Sequence, residues 1–121
     1  MPKGVGTDII EIQRIERVID KHGEKFLNRL FTEKEQSYCL RHQLASQHFA
    51  GRFAAKEAVA KALGTGISGG IRWLDIEIDN DANGKPQVTL SPSACGGNQH
   101  PRFLLSISHS KHYATAVAIR L

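Results

Sequence analysis

Apolar positions along the chain change their period from element to element. Gly4-Val5-Gly6-Thr7-Asp8-Ile9-Ile10 reads as a short buried strand, in which the glycines permit close backbone approach and Val5, Ile9 and Ile10 carry the burial. From Glu11 to about His22 the apolar residues Ile12, Ile15, Val18 and Ile19 recur at helical spacing, and Gly23 supplies the stop. Phe26, Leu27 and Leu30 extend the pattern as a short amphipathic continuation. Thr32-Glu33-Lys34-Glu35 fits a capping box and predicts a third helix to about His42. The clearest helical signal runs from Ala45 to Leu63, with six alanines between Ala50 and Ala62 and Gly64 at the C-terminal boundary. So many small side chains predict close packing on more than one side.

Beyond Gly64-Thr65-Gly66-Ile67-Ser68-Gly69-Gly70 the period becomes two. Trp73 to Asp79 predicts a strand, Asn83-Gly84-Lys85-Pro86 a turn, and Gln87 to Leu90 the hairpin partner. A loop through Pro92, Gly96, Gly97 and Pro101 precedes two β-rich runs, Phe103 to Ser108 and Tyr113 to Ile119. Helices gathered early and an antiparallel sheet late predict an α+β fold, in one compact domain over residues 1–121.

Composition narrows the class. A chain of 121 residues, 40% hydrophobic and 23% charged, can bury one core without disulfide or metal staples and is not disordered. Its apolar runs fall far short of the roughly 20 residues needed to span a bilayer, and Met1-Pro2-Lys3 does not open a signal peptide. The expectation is a cytoplasmic protein with no membrane partner. Cys39 and Cys95 form neither a CxxC pair nor a zinc knuckle, which predicts reduced structural thiols. A net charge of +4 and a pI near 9.3 imply an acidic partner. Nucleic acid, a phosphorylated small molecule and an acidic protein all satisfy that charge.

Chemistry concentrates at three places. Asp8, flanked by Ile9 and Ile10, needs a partner if buried, which points either to an arginine such as Arg14 in a structural salt bridge or to a metal-binding or catalytic role. On the alanine-rich helix, Phe49, Phe53, Ala60 and Leu63 share the main apolar face, while Glu57 and Lys61 lie on a neighbouring stripe with Ala50 and Ala54. Their spacing fits a surface ion pair worth about 0.3–0.5 kcal/mol; the bordering methyl groups fit an open, partly desolvated notch for a bound ion. Asp8 and Glu57 together suit Mg²⁺, which takes a few hard oxygens and completes its shell with water and phosphate. Lys61 would add a phosphate contact, although the C-terminal end of its helix disfavours anions. The glycines after this helix match neither a P-loop nor a Rossmann fingerprint, both of which precede a helix.

At the end of the alternating Phe103-to-Ser108 run, Ser108-His109-Ser110 suits a ligand contact or an ordinary turn. His109 and His112 make a poor zinc pair without further soft ligands. Arg14, Arg17, Lys21, Lys25 and Arg29 form a basic stripe if the first two helical segments are continuous, fitting either solvated charge or an acidic docking partner. A small basic nucleic-acid-binding module is the alternative, but it leaves Asp8 and Glu57 unexplained and lacks interleaved aromatics.

Four segments carry a family resemblance: Gly4-Val5-Gly6-Thr7-Asp8, the run from Gly51-Arg52-Phe53-Ala54-Ala55-Lys56-Glu57-Ala58 through Lys61-Ala62-Leu63-Gly64-Thr65-Gly66, Asn83-Gly84-Lys85-Pro86, and Ser108-His109-Ser110. Together they resemble, in order and over nearly the whole chain, the bacterial holo-acyl-carrier-protein synthases, the short trimeric type of 4′-phosphopantetheinyl transferase. The resemblance implies transfer of phosphopantetheine from coenzyme A to a serine of apo-acyl-carrier protein, in support of fatty acid biosynthesis. It implies catalytic Asp8, Glu57 and Lys61, with Mg²⁺ on Asp8 and Glu57 and the coenzyme A diphosphate beside Lys61. It further implies coenzyme A contacts at Arg52, Gly64, Lys85, Pro86 and His109, docking of the acidic carrier on Arg14, Arg17 and Lys21, and a homotrimer with active sites between subunits. Which group accepts the serine proton stays open among Glu57, Asp8 and a metal-bound water.

Overall fold

The computed structural model describes residues 1–67, 70–95 and 100–121, so the loop expectations placed on Ser68, Gly69, Gly96 and Gly97 lie outside the described residues. Strand β1 (Gly4–Glu11) leads into helices α1 (Ile12–His22), α2 (Glu24–Leu30), α3 (Glu33–Leu40) and α4 (Ala45–Ala62). Strands β2 (Ile76–Asn80) and β3 (Pro86–Leu90) form an antiparallel hairpin, and β4 (Phe103–His109) and β5 (Tyr113–Arg120) follow. β5 is the centre of an antiparallel sheet ordered β1-β5-β4, with Gly4 opposite Arg120 and Asp8 opposite Ala116. The fold is α+β, as expected.

α4 is the axis of the molecule, packed against β1, β5, β4, β2, α1 and α3. Its alanines join Ile76, Ile78, Leu105, Ala116 and Ala118 in one core, while its first turns, with Phe49 and Ala50, join Ile12, Ile15, Leu30 and Phe31 in a second. Packing on more than one side is as the alanines led one to expect, and it extends beyond the apolar face to the charged side chains of Arg52 and Lys56. Small side chains allow this. A Cβ on Gly6 would lie 1.9 Å from the Ala58 carbonyl oxygen and one on Gly4 2.1 Å from that of Ala62, so β1 lies flush on the helix only with glycine there.

That contact reverses one expectation. The glycine face of β1 turns inward with Asp8 and Ile10, and Val5 and Ile9 are 67% and 65% exposed. With Leu104, Tyr113 and Val117 they leave an apolar outer face on the sheet.

The capping box forms as expected: the Thr32 N–H donates to Glu35 Oε1 (2.8 Å) and the Glu35 N–H to Thr32 Oγ1 (3.2 Å). The helix it starts stops at Leu40, short of His42. Trp73–Asp75 is a 3₁₀ turn rather than the start of a strand, because buried Asp75 reaches back to the Arg72 N–H (2.9 Å) and accepts from Ser91 Oγ (2.8 Å). Gly23, at φ 55°, separates α1 from α2, so the five basic residues do not lie on one continuous helix. Among the described residues no helix is long and apolar enough to cross a membrane.

Candidate active site

Where β1 crosses α4, the strand delivers one carboxylate and the helix a second carboxylate and an ammonium. Asp8 is held by its backbone, since Thr115 Oγ1 of the neighbouring strand donates to its carbonyl (2.8 Å). Its side chain, 17% exposed, lies 3.4 Å from Lys61 Nζ, which also donates to the Thr7 carbonyl at 3.0 Å. The salt-bridge partner of Asp8 is thus Lys61 and not Arg14. Nor do Glu57 and Lys61 form their own i,i+4 pair. Among the described residues Glu57 has neither ion pair nor side-chain hydrogen bond.

Electrostatics follow from that uneven sharing. Burial raises the pKa of Asp8 above the ordinary aspartate value, opposed by the charge and hydrogen bond of Lys61. Glu57 is likewise raised, first by burial and then by the charge of Asp8, against a smaller opposing effect from Lys61. Two carboxylates with one ammonium are short of positive charge. Both line a cleft of about 430 Å³, walled by Arg14 and Ile15 of α1, Phe26 of α2 and Phe53 of α4.

The donor set fits Mg²⁺: two hard carboxylate oxygens at the mouth of a cleft leave the rest of the shell to water and phosphate. No cluster of three His, Cys, Asp or Glu residues suited to a metal occurs among the described residues, so this is not a closed cage of protein ligands. Gly64 follows α4 at φ 86° and donates its N–H to the Lys61 carbonyl (3.0 Å), placing the loop that it begins beside the ammonium's own turn.

Arg52, Lys85, Pro86 and His109 gather elsewhere. Arg52, 5% exposed, donates to Asn80 Oδ1 and stacks its guanidinium 4.0 Å over Tyr38; its Nε has no hydrogen-bond partner among the described residues. Asn80 faces Pro86 across the hairpin, next to the exposed Lys85. His109, exposed at the end of β4, pairs Nδ1 with the Gln47 amide and sits edge-on to His48 (6.2 Å). Burial, then the charges of His42, Arg52 and His109, lower the His48 pKa. No described hydrogen bond or ion pair links this group to Asp8, Glu57 or Lys61.

Arg14, Arg17 and Lys21 are exposed on α1, and only Arg14 reaches the carboxylate cleft. Sequence reasoning missed the aromatic wall of Phe26 and Phe53, and it missed Lys56, which is wholly buried on Glu35 at 2.7 Å. The Phe-Ala-Ala-Lys-Glu run contains two of these residues, but its periodicity does not distinguish a buried lysine from a solvated one.

A profile of the 4′-phosphopantetheinyl transferase superfamily matches residues 4–118. The holo-[acyl-carrier-protein] synthase of Protochlamydia amoebophila is 60% identical over 119 residues, covering 98% of this chain and 98% of its own. The crystal structure of the Neisseria meningitidis holo-[acyl-carrier-protein] synthase superposes with a TM-score of 0.90 at 35% identity, covering 100% of this chain and 99% of its own. The Helicobacter pylori holo-[acyl-carrier-protein] synthase in complex with coenzyme A superposes with a TM-score of 0.87 at 35% identity, covering 97% and 99%.

Proposed function

Since this chain belongs to the 4′-phosphopantetheinyl transferase superfamily, we propose that the cleft between β1 and α4 is where it transfers phosphopantetheine from coenzyme A to a serine of apo-acyl-carrier protein, releasing adenosine 3′,5′-bisphosphate. The chain is a transferase of the holo-acyl-carrier-protein synthase type, acting as one domain over residues 1–121 in support of fatty acid biosynthesis in the cytoplasm. The observation that carries the assignment of the cleft is the Asp8–Lys61 contact with Glu57 left uncompensated beside it.

Asp8 and Glu57 are the residues that hold Mg²⁺, whose charge supplies Lewis-acid stabilisation of a diphosphate. Lys61, half-exposed at 50%, is free to turn from Asp8 toward a phosphate oxygen and to stabilise the charge that builds on the leaving bisphosphate. The serine proton would pass to Glu57, to Asp8 or to a water held by the ion between them. The apolar wall of Phe26 and Phe53 excludes water from the attacked phosphorus.

Arg52, Lys85, Pro86 and His109 take the nucleotide part of coenzyme A, with Gly64 near the diphosphate. Their separation from the carboxylates suits a site shared between subunits. The apolar outer face of the sheet supports a homotrimer that would bring the second group of one protomer to the carboxylates of the next. The acidic carrier docks on Arg14, Arg17 and Lys21, beside the cleft that Arg14 lines. The relatives give no support to the nucleic-acid-binding alternative.

Intact-mass analysis of apo-acyl-carrier protein, incubated with this protein, coenzyme A and Mg²⁺, tests the reading. The expected result is a gain of one phosphopantetheine that EDTA prevents; an unchanged carrier mass with Mg²⁺ present overturns it.

A further inference from the structure

The buried charges at Lys56 and Glu35 take no part in the chemistry described, yet they join five elements. Both side chains are 0% exposed, and Lys56 Nζ lies 2.7 Å from Glu35 Oε1. Its other two donors reach the carbonyl of Leu30 at the end of α2 (2.7 Å) and that of Trp73 in the 3₁₀ turn (3.0 Å), so all three ammonium protons have acceptors. Glu35 is as fully engaged, with Oε1 also accepting from the Thr32 N–H (2.8 Å) and Oε2 from the Ile78 N–H of β2 (2.8 Å).

Stability alone does not account for such a pair. A buried ion pair costs so much desolvation that apolar residues of equal volume are often as stable or more so. What an apolar pair lacks is direction. Around Lys56, α4 presents Ala54, Ala55, Ala58, Ala60 and Ala62 to its neighbours with Val59 the one larger apolar side chain among them, a surface of low relief that offers few knobs to resist rolling about the helix axis. Three directed hydrogen bonds from one residue of that helix do fix it.

Successive residues lie about 100° apart on a helix, so the direction of Lys56 sets those of Glu57 and Lys61. A second path runs through Trp73, whose carbonyl accepts from Lys56 and whose ring stacks on Phe53 (5.0 Å, 27°) in the wall of the carboxylate cleft. We infer that Lys56 and Glu35 are positioning residues for the transfer reaction: they index the roll of α4 so that Glu57 and Lys61 both meet Asp8 of β1. This role rests on the function proposed above.

The test compares wild type with Lys56→Met/Glu35→Met, which removes both charges and leaves neither orphaned. Three measurements are made: thermal unfolding, binding of Mn²⁺ in the presence of coenzyme A by electron paramagnetic resonance, and kcat and KM for transfer. The double variant is expected to fold and melt near or above wild type, while Mn²⁺ affinity and kcat each fall about 10–100-fold, as when groups that orient metal ligands are lost. KM for the carrier should not change. A folded double variant with wild-type Mn²⁺ affinity and kcat overturns the inference. Should it fail to fold, Lys56→Met/Glu35→Gln removes all three directed bonds of the helix while Gln still accepts from the Thr32 N–H, and wild-type kcat and Mn²⁺ affinity per folded molecule overturn the inference in the same way. A wild-type protein that neither transfers nor binds Mn²⁺ with coenzyme A overturns the proposed function itself, a result distinct from intact wild-type activity with unperturbed variants.

Discussion

Lys61 Nζ lies 3.4 Å from Asp8 Oδ1 on another element, although Glu57 stands one turn away on its own helix. Glu57 is thereby left close to a second carboxylate, and the charge of Asp8 adds to burial in making its ionised form unfavourable. Substituting Glu57 by Gln removes the repulsion with little change of shape. We expect transfer to fall about 10²–10³-fold, the scale on which loss of a charge-stabilising group lowers turnover. The melting temperature without metal should rise, and the stabilisation that Mg²⁺ gives wild type should disappear. Calorimetry with and without Mg²⁺ checks both; a variant still stabilised by Mg²⁺ would place the ion elsewhere.

Lys61→Ala should lower kcat by about 10²-fold, because the ammonium acts on charge that develops as the bisphosphate departs. Alanine is a strong helix former, so the helical circular dichroism should persist. Weaker coenzyme A binding at unchanged kcat would make Lys61 a ground-state contact only.

Arg14, Arg17 and Lys21 lie on exposed positions of α1. Reversing all three to Glu should raise the KM for the carrier while leaving affinity for coenzyme A nearly unchanged. In wild type, physiological salt should itself raise that KM, since screening confines the field to about 8 Å. The triple variant should show much less salt dependence, and retention of the wild-type KM and salt slope would move docking to another surface.

At Gly6 a methyl group would meet the Ala58 carbonyl at 1.9 Å. Gly6→Ala should cost about 1–3 kcal/mol in urea unfolding, the range for overpacking a filled interior. Transfer per folded molecule should also fall, because the strand that must lift off α4 carries Asp8 two residues on. Wild-type stability would show that β1 can shift without cost.

Asp75 supplies the pH dependence. Burial works to raise its pKa, but the Arg72 N–H, Ser91 hydroxyl and Arg72 guanidinium outweigh it and hold the carboxyl below its ordinary value of 3.8. The unfolded chain therefore binds the proton first as pH drops, so the stabilisation is complete above 3.8 and is lost as pH falls through the lower folded value. Asp75→Asn should cost about 1–3 kcal/mol near neutrality. The gap from wild type should shrink below pH 3.8 in a urea series, and a gap independent of pH would contradict the ionic role.

Some of this architecture could be read from residue order, and the reasons differ by element. Asp8 stood out because a carboxylate followed directly by two isoleucines needs an explanation wherever its strand lies. The α4 boundaries were legible from alanine, which favours helix in almost any setting. The facing of β1 was not, because Val5 and Ile9 on one side and the glycines on the other are both compatible with burial. The choice was made by the alanine surface of α4, far along the chain at Ala58 and Ala62, which accepts only the smaller side. Trp73–Asp75 has strand-compatible residues, and the Asp75 hydrogen bonds overrode that propensity. Lys56 and Glu57 are adjacent in sequence, yet one is sealed inside and the other opens on the cleft. That difference depends on Glu35, Leu30 and Trp73, which no local pattern connects to them.

The pairing of β1 with β5, from Gly4 opposite Arg120 to Glu11 opposite Tyr113, sets an order on synthesis. The strand bearing Asp8 leaves the ribosome well before its hydrogen-bonding partner, since Thr115, which holds the Asp8 carbonyl, lies 107 residues further along. The helices rest mostly on local contacts as they emerge, whereas a pairing across so long a separation must wait for loop closure. Until then Asp8 has no fixed place beside Glu57, and the apolar residues of β1 lack a neighbouring strand. A nascent chain stopped before Tyr113 would hold both carboxylates and yet have no active site.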